Sequence, residues 1–258
     1  MRLFERYHRL RILRNYPIPD RDWHQVAGRL PLLAGLAPFE RARLRELATL
    51  FLHEKVFTGV QGMEVTPEMR ITVAAQACLE ILELGIDAFA GWTEIVVYPG
   101  AFTVKREQMD ESGVVSLDEN ILSGESWMQG PVIFSWPDVA HDSFNRHPGR
   151  NVVIHEFAHK LDMLNGRANG MPPLHPEMPI EAWTEALSRA YGSLVRMLEH
   201  HRHPSINPYA ATNPAEFFAV VCEYFFTAPH ILQRHCPAVH EQLKAYFRQD
   251  PMERLSDA

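Results

Sequence analysis

The sequence predicts an α+β protein, mostly helical, with a small mixed β-sheet beside one buried helix. Three observations lead there. Long stretches place apolar residues at helical spacing, and several start with Thr-Pro or Asn-Pro. Short β-branched and aromatic runs, bounded by Pro and Gly, fall between residues 93 and 136. The stretch Val152–Asp162 is apolar apart from His155, Glu156, His159, Lys160 and Asp162, so it reads as a buried helix with a polar purpose.

The elements follow in order. Met1 to Arg11 is basic but has no apolar core of signal-peptide length. A solvated, partly disordered arm that contacts a surface or a partner at most is expected there. Pro17 to Pro31 reads as a connection around a short helix near Trp23. Pro38 to Lys55 has helical spacing through Leu44, Leu47, Phe51 and Leu52. Thr66 caps and Pro67 starts a helix that runs through Ile71, Ala74, Ala75, Cys78, Leu79 and Leu82 and ends at Gly85. It is apolar on nearly all sides and belongs in the core. Thr93–Tyr98, Phe102–Lys105 and Val114-Val115 read as short strands, and Pro131–Trp136 as the last strand before the central helix. Gly113, Gly124 and Gly130 mark loops at a cleft. Asn165 to Pro179 is a further loop.

Ile180–Glu199 is a helix with Trp183, Leu187, Tyr191, Leu194 and Leu198 on its buried stripe. His200, His201 and His203 follow at its end, where cationic side chains suit the negative pole of the dipole better than a metal. Pro229–Tyr246 is helical again and stops at Asp250-Pro251. The expected organisation is an arm and connection over 1–30 and a single domain over 31–258. That domain has a helical part (31–90), the sheet with the central helix (91–165) and a second helical part (166–258).

The chain has 258 residues, 46% hydrophobic and 22% charged, enough apolar material for a sizeable core. A net charge of -7 argues against nucleic acid as a partner, because phosphate binding needs a basic surface. Cys78, Cys222 and Cys236 lack metal-ligand spacing and read as small buried hydrophobes in a reducing compartment. No run has the length of a membrane span. A cytoplasmic protein is expected.

The chemistry centres on His155-Glu156-Phe157-Ala158-His159, an HExxH pattern. His155 and His159 lie one turn apart on one helical face and can bind one metal ion. Glu156 can then act as general base on a metal-activated water. A catalytic zinc site takes a third protein ligand. The extended pattern HExxHxxGxxH is excluded, because Asp162 and Asn165 stand where its Gly and third His would be. The alternative is a carboxylate from the apolar stretch Tyr209 to Phe226. Glu216 and Glu223 lie seven apart there, on one helical face. Glu216 also falls at a capping-box position after Asn213 and Pro214. Spacing alone leaves the two open.

The chain resembles the Mlc titration factor A family of bacterial metallopeptidases and, more distantly, the anthrax lethal factor catalytic domain. The residues that carry this are 155–162, Asn165-Gly166, 209–219 and Glu223-Tyr224-Phe225-Phe226. Leu82–Gly85, Tyr98-Pro99 and Trp127–Pro131 add to it. The likeness runs from about Pro31 to Arg254 and is weakest over the first thirty residues. It implies a zincin-like catalytic domain with one Zn2+, whose third ligand is the Glu of Asn-Pro-Ala-Glu, here Glu216. It implies that Tyr209 stabilises the transition state and that Asp162 lies beside the ligands, with Glu223 a second candidate for that place. It implies that the strand before the central helix binds substrate backbone, and that a peptide or protein is cleaved, with aminopeptidase-like activity one form of this. It also implies binding of the transcriptional repressor Mlc. A non-catalytic protein that sequesters the repressor and retains its zinc site is the competing expectation.

Overall fold

Proline sets where many of the helices begin. Its φ is already helical, and its missing N–H costs nothing in a first turn. The structure, a computed structural model, describes residues 2–100 and 130–256. Its N-terminal half holds helices α1 (Arg2–Asn15), α2 (Asp20–Ala27) and α3 (Pro38–Glu54), strand β1 (Val56–Gly59), helix α4 (Pro67–Glu80) and strand β2 (Glu94–Tyr98). Then come β3 (Val132–Ser135), α5 (Trp136–Phe144), α6 (Val152–Asp162), α7 (Ile180–Glu199), α8 (Pro214–Thr227), α9 (Pro229–His235), α10 (Pro237–Phe247) and α11 (Pro251–Ser256). The described fold is mostly helical α+β, as expected.

The sheet has the order β1-β2-β3, and both strand pairs are parallel. Val56 lies opposite Glu94, and Ile95 opposite Val132. Parallel pairing needs a long crossover, and α4 supplies it between β1 and β2. A mixed sheet was expected, and the described one is parallel throughout; the strands expected at 102–105 and 114–115 lie outside the described residues. So do Gly113, Gly124 and residues 127–129.

The sheet meets α6 through an aromatic cluster. Phe157 lies two residues after His155 and therefore round the helix from it. Its ring is 5.0 Å from that of Phe89, 5.6 Å from Phe51, 5.7 Å from Trp92 and 6.2 Å from Phe134. On its other flank α6 packs along α8, whose residues Ala215 to Phe226 are all buried.

Three expectations need correction, and one strand comes in addition. The first residues form α1 rather than a disordered arm. Ile12 enters the core, and Arg9 pairs with Asp87. Val56–Gly59 is a strand, too short to show an alternating pattern. Trp136 opens α5 instead of closing β3, with Pro137 in the first turn. The helix expected over 229–246 is two helices, because Pro237 forces Cys236 out of helical geometry (φ -138°, ψ 58°) and restarts the chain as α10.

Candidate metal centre

Two asparagine caps place the polar residues. The Asn151 side chain accepts from the N–H groups of Val153 and Ile154 and starts α6. The Asn213 side chain accepts from Glu216 N at 3.0 Å and starts α8. With both starts fixed, His155 and His159 on α6 face Glu216 on α8.

Three donor atoms converge there. His155 Nε2 lies 3.0 Å from Glu216 Oε2. His159 Nε2 lies 3.2 Å from His155 Nε2 and 3.6 Å from Glu216 Oε2. Nitrogen and oxygen ligands at about 2.0–2.2 Å from a tetrahedral ion stand roughly 3.3 Å apart. The three separations bracket that value, so these residues fit a small divalent ion. Glu216 lies beside the two Nε2 atoms, whereas Glu223 lies on the far side of the ring, with Oε1 2.8 Å from His155 Nδ1. The pair that spacing left open therefore occupies two different places around one imidazole.

The electrostatics favour a cation. Burial alone would lower the pKa of His155, but hydrogen bonds to Glu216 and Glu223 outweigh it and raise it to about 10. Burial would raise the carboxyl of Glu216, and the hydrogen bonds to both histidines instead hold it well below the usual range. A field that holds a proton on a buried imidazole also attracts a metal ion.

The remaining candidates lie close by. Glu156 follows His155 on α6 and is half-buried. Tyr209 sits in the turn Pro208–Ala211, its ring 6.1 Å from that of His155. Asp162 is fully buried, and its Oδ2 accepts from Gly170 N at 2.7 Å. Burial pushes the Asp162 carboxyl up to about 6 against those loop hydrogen bonds.

Several contributors were not singled out from the sequence. Asn151 N donates to Glu223 Oε2 at 2.6 Å, and its side-chain amide donates to Gln76 Oε1 at 2.7 Å. Asp142 accepts from Val152 N at 3.2 Å and from Arg150 Nε at 2.9 Å. Lys160, buried beside His159, donates to Gly130 O at 2.7 Å. An Asn just before an apolar run was the readable signal for Asn151, and a lone Gln inside an apolar helix for Gln76. A second cluster, His141, Asp142 and His147, is less suited to an ion. The two rings stack at 4.2 Å and 15°, so their lone pairs run side by side, and Arg150 already holds Asp142.

The profile of the glucose-regulated metallo-peptidase M90 family matches residues 4–248. This chain belongs to that family. Among similar proteins, Mlc titration factor A of Klebsiella pneumoniae (strain 342) is 40% identical over 241 residues, covering 92% of this chain and 89% of its own. Mlc titration factor A of Yersinia pestis (strain Pestoides F) is 40% identical over 237 residues, covering 91% and 86%. Membership of a metallopeptidase family implies a metal, and the His155–His159–Glu216 cluster suits one. No helix among the described residues is long and apolar enough to cross a membrane.

Proposed function

We propose that this chain is a zinc metallopeptidase that cleaves a peptide or protein substrate in the cytoplasm. The observation that carries this reading is the convergence of His155 Nε2, His159 Nε2 and Glu216 Oε2 within 3.0 to 3.6 Å. The three residues would hold one zinc ion, through two neutral imidazoles and one carboxylate. An ion held there would supply acidification of a water and polarisation of the scissile carbonyl. Glu156 accepts the water's proton and passes it to the leaving amine. Tyr209 donates a hydrogen bond to the developing oxyanion.

Substrate adds as a strand along β3, which pairs with β2 on one side and whose Ile133 is 37% exposed. Lys160 supports the entry to that strand through Gly130 O. Aminopeptidase-like cleavage is one form the activity takes.

The test compares wild type with two variants. Glu156→Gln is expected to retain one zinc per chain and lose at least about 100-fold in peptide hydrolysis, the usual weight of a general base. Glu216→Ala is expected to lose the zinc. Full activity in zinc-loaded Glu156→Gln would overturn this assignment of the base.

The name of the relatives favours a second activity, binding of the repressor Mlc. Binding by Glu156→Gln as tight as by wild type would separate sequestration from hydrolysis. If wild type binds Mlc and zinc but cleaves no peptide, the chain is a regulatory binding protein that retains a metal site.

A further inference from the structure

A hydrogen-bonded chain runs from the metal centre into the core. It starts at His155 Nδ1, 2.8 Å from Glu223 Oε1. The other oxygen of Glu223 accepts from Asn151 N at 2.6 Å. The Asn151 side chain caps α6 with its oxygen and donates from its nitrogen to Gln76 Oε1 at 2.7 Å. Gln76 Nε2 donates in turn to Ser143 Oγ at 2.8 Å and to Thr72 O at 3.0 Å. The chain thus joins α4, α5, α6 and α8.

Every member is buried. Gln76 is 0% exposed, Asn151 and Ser143 2%, and Glu223 7%. Gln76 sits in a helix whose neighbouring residues Val73, Ala74, Ala75 and Ala77 are as deeply buried. An apolar residue of the same volume would fill that place without the cost of desolvating an amide. The amide's bonds lead instead, in two steps, to the carboxylate that holds His155.

We propose that Gln76 and Asn151 are positioning residues for the metal centre. Gln76 fixes the Asn151 amide and Asn151 fixes the Glu223 carboxylate. Glu223 then holds Nδ1–H of His155, so that Nε2 is the nitrogen presented to Glu216 and His159. Partners behind a ligand imidazole orient the ring and fix its tautomer, and their loss weakens metal binding by about 10- to 100-fold. Helix α4, far in sequence from every ligand, is then part of the metal site.

The inference rests on the metal reading above, and the experiment separates the two. Zinc affinity is measured by competition with a chromophoric chelator, alongside the visible spectrum of the cobalt(II)-substituted protein. The variants are Gln76→Met, which keeps the volume, Glu223→Gln and the double variant. Asn151→Ser serves where Gln76→Met does not fold, since Ser keeps the cap but not the amide donor.

Gln76→Met is expected to bind zinc about tenfold more weakly and to shift the cobalt spectrum. It should weaken binding little further in the Glu223→Gln background, because residues of one chain act non-additively. Unchanged affinity and spectrum in Gln76→Met, or full additivity with Glu223→Gln, would overturn the proposal while leaving the metal reading intact. Absence of metal binding by wild type would overturn both.

Discussion

Glu80 is a buried carboxyl inside α4. It is 0% exposed, and among the described residues neither carboxylate oxygen has a hydrogen-bond partner. Burial and the nearby charge of Glu223 push its pKa well above the ordinary 4.5. A carboxyl raised on folding contributes stability that is fully present below the unfolded pKa. That stability is lost as pH rises from there through the folded value, because the unfolded chain gives up the proton first. Glu80→Gln removes this slope. The variant is expected to gain on the order of 1 kcal/mol or more over wild type at pH 8 and less at pH 5. Thermal melts of the metal-free protein at both pH values check this, and an equal gain at both would show that Glu80 does not titrate on unfolding. Glu80 and Gln76 share one reading. Both stand in the sequence as polar residues inside an apolar helix, visible as anomalies but without a named partner. A partner such as Asn151 lies 75 positions away, and hydrophobic periodicity carries no information about contacts of that range. The HExxH pair was legible as a candidate because its geometry is local to one helix. Glu216 was not legible from spacing, since its competitor Glu223 shares its face.

At the scale of elements, what was readable had a local cause. Thr66-Pro67 and Asn213-Pro214 mark the starts of α4 and α8 through capping chemistry within one turn. Strand β1 had no such signature, and α5 had only part of it, Pro137 in its first turn without a side-chain cap from Ser135. Four residues, Val56–Gly59, become a strand only because β2 is there to pair with them. The loop before α7 shows how elements brace the site. Gly170 N donates to Asp162, and Gly170 O accepts from Trp183 Nε1 at 3.0 Å. Its φ is +79°, and a Cβ there would come 2.6 Å from Pro214 O at the start of α8. Ala at this position is both strained in its backbone and too close to the helix that carries Glu216. Gly170→Ala is therefore expected to cost about 1–3 kcal/mol and to weaken metal binding as α8 shifts. Chemical denaturation and metal competition read the two effects separately. A variant as stable as wild type would show that the loop can move off Pro214 freely.

At the scale of the whole molecule, the candidate ligands come from helices distant in sequence. His155 and His159 belong to α6 and Glu216 to α8. Both helices lie in one continuous core with the aromatic cluster around Phe157 and the packed rings of Phe225, Phe226 and Phe247. The complete site exists only when that core is assembled, so a metal that takes all three ligands binds the folded chain and not the unfolded one. Mass action then converts affinity into stability. Free zinc at about 100 times its dissociation constant adds roughly 2.7 kcal/mol. For a domain of this size that corresponds to a Tm rise of about 5–10 °C. A chelator is expected to abolish the rise in wild type, and Glu216→Ala to melt at one temperature with or without zinc. Glu156→Gln should keep the full rise, because Glu156 is assigned to the proton and not to the metal. A zinc-dependent rise that survives in Glu216→Ala would mean that the ion does not depend on that carboxylate. The stacked pair His141 and His147 would then be the next residues to replace.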